Sequence, residues 1–109
     1  MATFDFQTLF DQLKKEVSNV AVTSVQQFKN EAEADALNLL ENLKENLRTW
    51  TVQWALGAIT KEDFEFLVMG QKELIQMNLL KQKGMALIDL DKFKIRLINQ
   101  IVKIALSVI

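Results

Sequence analysis

The sequence predicts an all-α fold, an antiparallel helical bundle built around a very long first helix, and three observations carry that expectation. Half of the 109 residues are apolar and a quarter are charged. Leucine, glutamate, lysine, alanine and glutamine fill the intervals, which is the composition of ordered helices. There is no proline and there are three glycines, Gly57, Gly70 and Gly84, too few for long strands joined by tight turns. From Asp5 to Leu56 neither residue occurs, and apolar side chains recur there at helical spacing.

The first element is therefore read as one helix over about 5–56. Phe6, Phe10, Leu13, Val17 and Val20 alternate steps of four and three, and so do Ala36, Leu40, Leu43, Leu47, Trp50 and Trp54; this is the seam spacing of a coiled coil. Ser24, Phe28 and Ala32 connect the two seams by steps of four, a stutter that unwinds a supercoil locally without breaking the helix. Asn30 followed by Glu33 has the opposite implication, because that pair has the form of a capping box starting a new helix.

Unbroken, the helix would be about 75 Å long at 1.5 Å per residue, more than the rest of the chain covers. Phe4, Phe6, Phe10, Leu13, Val17 and Val20 would then stand exposed, and a stripe of that size marks a partner surface. A second copy running antiparallel sets Phe4 to Phe10 beside Trp50 and Trp54 and gives an interlocked dimer. With a break near residue 30, the same groups meet within one chain as a monomeric up-down-up-down four-helix bundle. The expected oligomer or partner interface is accordingly Phe4, Phe6, Phe10, Leu13, Val17, Val20, Phe28, Trp50 and Trp54.

The second helix is expected over about 61–83. Gly57 stands where a left-handed C-cap ends the first helix. Thr60 and Asp63 then form a variant capping box, with Ile59 and Phe64 spaced for a hydrophobic staple. Phe64, Phe66, Leu67, Val68 and Met69 leave only Glu65 polar, so this segment should be buried on more than one side, and Gly70 is read as permitting a close helix crossing. Gly84 ends the helix, with Lys81 and Lys83 complementing its dipole.

The third helix is expected over about 89–108, with Asp89 or Asp91 as N-cap. Phe93, Leu97, Ile101, Ile104 and Val108 lie along one stripe that Ile98, Val102, Ala105 and Ile109 widen. The whole chain reads as a single helical domain over 1–109.

The charges bound the function classes. Net charge is −1, which argues against a nucleic-acid partner, whose phosphates need a concentrated positive field. The halves differ in sign: residues 1–56 hold eight acids against five bases, and residues 57–109 hold six acids against eight bases. Lys81, Lys83, Lys92, Lys94 and Arg96 make a local basic cluster that Asp89 and Asp91 interrupt. Glu31, Glu33 and Asp35 make an acidic one, read as a solvated face that answers the basic cluster across the bundle.

No histidine and no cysteine are present, so serine–histidine–acid triads, zinc sites, carboxylate–histidine di-iron sites and thiol nucleophiles are excluded. Met1 to Lys15 lacks a basic leader and its apolar run is interrupted, so it does not read as a signal peptide, and the cytoplasm is the expected compartment. The resulting expectation is a non-enzymatic helical bundle with no catalytic residue, metal or cofactor. It acts as a structural or protein–protein interaction module through homo-oligomerisation, as a homodimer first. The alternative is a bundle that opens to bind an apolar ligand or a lipid surface, ranked behind a protein partner.

Overall fold

A computed structural model describes residues 5–108 and is entirely helical among them, with no strand. In chain order the helices are α1 (Phe6–Ser24), α2 (Lys29–Ala55), α3 (Lys61–Gly70), α4 (Asn78–Gln82) and α5 (Leu87–Val108), with a 3₁₀ turn over Gln71–Leu74 between α3 and α4. Helices α1, α2 and α5 pack together, and α3 and α4 close the remaining side. One buried cluster contributed by all five helices forms the core.

The single helix expected over 5–56 is corrected to two. Helix α1 ends at Ser24, Val25 leaves helical geometry at φ −127°, and α2 begins after Phe28, whose side chain makes no capping bond. The reversal therefore falls at residues 25–28, a few residues before Asn30, which lies within α2. The energetics favour it. Folding α1 back removes Leu9, Phe10, Leu13 and Val17 from water, each at 0% exposure, and each such side chain stabilises by about 1.5–3 kcal/mol. The few helical hydrogen bonds given up at the turn are worth only about 0.5–1.5 kcal/mol each.

Asp5 caps α1. Its carboxylate accepts from the Thr8 hydroxyl at 2.7 Å and the Gln7 amide at 3.1 Å. These bonds, the Thr8 bond foremost, hold its pKa below the usual aspartate value. The contribution is present above the ordinary aspartate range and is lost as pH falls through the lowered value.

The start of the second expected helix forms as read. Thr60 Oγ1 accepts from the Asp63 amide and Asp63 accepts from the Thr60 amide, both at 3.0 Å. Its length does not: the helix over 61–83 is corrected to α3, the 3₁₀ turn, an extended stretch and α4. Ile75 and Met77 are both buried while Leu74 and Gln76 are exposed. That alternation of two is what extended backbone provides and a helix does not, and Ile75 has extended dihedrals, φ −92° and ψ 132°. Gly70 plays no part in a close crossing, since a Cβ there would meet nothing within 4 Å. Gly57 and Gly84 do serve as the left-handed residues after α2 and α4, at φ +78° and +85°.

Helix α5 begins at Leu87, so Asp89 lies in its first turn and is not its cap. Phe93, Leu97, Ile98, Ile101, Val102, Ile104 and Ala105 are all buried as the stripe predicts.

Candidate interaction surface

In the single chain Phe10, Leu13 and Val17 have no exposed surface, and Phe6, Val20, Phe28 and Trp50 are partly buried against the same core, as expected of these groups when the first segment breaks; Phe4 lies outside the described residues. Phe6 and Phe10 sit 5.7 Å apart. Lys14 and Lys44 lie over the Phe10 ring at 5.2 and 5.0 Å, and Arg48 lies over Phe6 at 5.2 Å, so cations on α1 and α2 cover this end of the seam. Trp54 stacks on Phe64 at 5.7 Å, which joins the α2 and α3 ends of the expected aromatic cluster. Phe66 does not join it and is 78% exposed.

The acidic cluster is corrected as well. Asp35 is 3% exposed. Its two carboxylate oxygens accept from the backbone amides of Leu79 at 3.2 Å and Leu80 at 2.8 Å, so it supplies from α2 the cap that α4 lacks in its own sequence. Glu33 accepts from the Ser18 hydroxyl and ties α2 to α1. The spacing held the signal for Asp35, because Ala32, Asp35, Ala36 and Leu39 fall on one face, and an acid inside an apolar stripe needs a partner. Among the described residues no three acids converge as a metal site.

The apolar side chains left outside are others than those expected. Leu56, Phe66, Leu74, Leu87 and Ile88 are each 65–79% exposed, and Val52 and Leu79 are less so. The basic cluster stays open too. Among the described residues the ion pairs are Lys14–Glu41, Arg48–Glu45, Lys72–Glu73 and Lys72–Asp91, and none uses Lys81, Lys83, Lys92, Lys94 or Arg96. Arg96 instead donates to the Ser24 hydroxyl at 3.0 Å.

Two shallow grooves flank the beginning of α5. One, of about 350 Å³, runs between the 25–28 turn and Met85, Asp89, Lys92 and Arg96. The other, of about 450 Å³, is lined by Ile75, Met77, Leu87, Ile88 and Leu90 together with Lys81 and Lys94. Lys92 and Arg96 line the first groove, and Lys81 and Lys94 the second. No helix among the described residues is long and apolar enough to cross a membrane. Comparison with protein-family models, with curated proteins and with solved structures returns no match.

Proposed function

We propose that this chain is a non-enzymatic interaction module that works by burying exposed apolar side chains against a protein, a second copy of itself first. The observation that carries the reading is the exposure of Leu56, at the end of α2, and Phe66, within α3, at 79% and 78%. Large apolar groups left in water after the core is filled favour association. The absence of histidine and cysteine from the sequence removes most nucleophile, base and metal chemistry that would support an enzyme.

A second form of the same reading is the interlocked dimer. Residues 25–28 hold no glycine and no proline and none has positive φ, so they are free to join α1 and α2 into one helix. Phe10, Leu13 and Val17 of one chain would then meet Leu40, Leu43 and Leu47 of the other, keeping the contacts of the folded-back form.

Light scattering across a concentration series tests both. Association is expected, and a strict monomer at every concentration overturns the reading. A paired Leu56→Ser and Phe66→Ser variant separates the two forms: it returns a side-by-side dimer to monomer and leaves an interlocked dimer intact.

A further inference from the structure

From Lys81 to Asp89 every residue except Met85 is exposed. Within this run Leu87 and Ile88 present 74% and 65% of their surface to solvent. Both are large aliphatic groups in the first turn of α5. Around them stand Lys81, Lys83, Lys92, Lys94 and Arg96, with no ion pair among the described residues. Of the two acids in the cluster, Asp91 is neutralised by Lys72 at 3.2 Å, which leaves Asp89 as its opposing charge. The positive field continues along α5: Ile88, Lys92, Arg96, Asn99 and Lys103 follow steps of four, four, three and four and so share one outward face. A shallow surface groove follows the Lys92 to Lys103 part of that face.

We propose that the Gly84 turn and the outward face of α5 dock on an anionic lipid surface, going beyond the protein-binding reading. Leu87 and Ile88 enter the boundary between headgroups and acyl chains, and the surrounding cations meet lipid phosphates and carboxylates. Charge complementarity selects this occupant, because basic side chains beside exposed apolar ones match the two layers of an anionic leaflet. Geometry favours a plane over an acidic peptide. The apolar pair opens α5 at 74% and 65% exposure, and the cations continue along the exposed face of the same helix, whereas a helical peptide needs a groove that recesses its apolar anchors.

The test is flotation of the full chain with phosphatidylcholine vesicles, with and without roughly a third phosphatidylserine, at low salt and at about 0.5 M salt, where charge is screened within a few ångströms. Binding to the anionic vesicles only, reduced about tenfold or more by salt, is expected. Leu87→Ser with Ile88→Ser, and separately Lys92→Gln with Arg96→Gln, should each lower it about tenfold. Lys61→Gln, beyond the Gly57 turn at the opposite end of α2, should leave it unchanged. All of these side chains are exposed, so circular dichroism should report wild-type folding.

Failure to float with anionic vesicles overturns the proposal. So does binding that survives the Leu87/Ile88 substitutions, or an equal loss on Lys61→Gln, which would reduce the effect to net charge. Capture of polyglutamate by a chain that ignores vesicles overturns it in favour of an acidic protein partner. Because none of these outcomes depends on Leu56 or Phe66, the self-association reading stands or falls separately.

Discussion

Helices α1, α2 and the body of α5 turn their large apolar side chains inward, whereas the stretch from Leu56 to Ile88 leaves Leu56, Phe66, Leu74, Leu79, Leu87 and Ile88 exposed. Among the described residues Val52 is the one other large hydrophobic side chain in that state. The two regions are similarly apolar in sequence and differ in element length. Helices of 19, 27 and 22 residues sustain one buried face over many turns. The middle stretch is divided into pieces of 10, 4 and 5 residues, too short to sustain one buried face. The buried frame is therefore built by the long helices, and most of the exposed large apolar surface lies in the interrupted segment.

A pair of phenylalanines gives the sharpest contrast. Phe10→Ala, at a site with no exposed surface, should cost about 3–5 kcal/mol, read as a lower urea midpoint at unchanged slope. Asp35→Ala should cost about 1–3 kcal/mol by leaving the Leu79 and Leu80 amides without an acceptor. Asp35→Asn, which keeps one acceptor oxygen, should fall between. Thr60→Ala removes the acceptor for the Asp63 amide and should cost about 0.5–2 kcal/mol in the same titration. Gly70→Ala should raise stability by about 0.4–1 kcal/mol, because its backbone is right-handed helical and the added methyl meets open space. Phe66→Ser should change stability by less than about 0.5 kcal/mol. If Phe66→Ser costs as much as Phe10→Ala, the division between a buried frame and an exposed middle is broken.

The long-helix frame was legible in the sequence because periodicity over many turns averages out local exceptions. The stripe of α5, the Thr60–Asp63 capping box and the roles of Gly57 and Gly84 could all be read there. The reversal at 25–28 was legible only as the alternative of a break near Asn30, since Val25 to Phe28 contain no breaker and the decision rests on burial of Phe10, Leu13 and Val17 against partners far along the chain. The extended stretch at Ile75 to Met77 was missed for a different reason. Two buried residues separated by one exposed residue are too short a signal to compete with a helical run on either side. The candidate surface was half legible: the basic cluster stood out, but the exposure of Leu87, Ile88 and Phe66 depends on which apolar groups the core had room for.

Asp35 has a consequence for the order in which the molecule assembles. It reaches across 44 residues to the first amides of a helix of five, and an isolated helix so short does not persist in water. Helix α4 therefore waits for α2 to be in place and is the first element to come undone when α2 loosens. The Leu79 and Leu80 amides should exchange with deuterium at a rate set by that opening, and replacing a single carboxylate on α2 should deprotect them while the α1 amides keep their time.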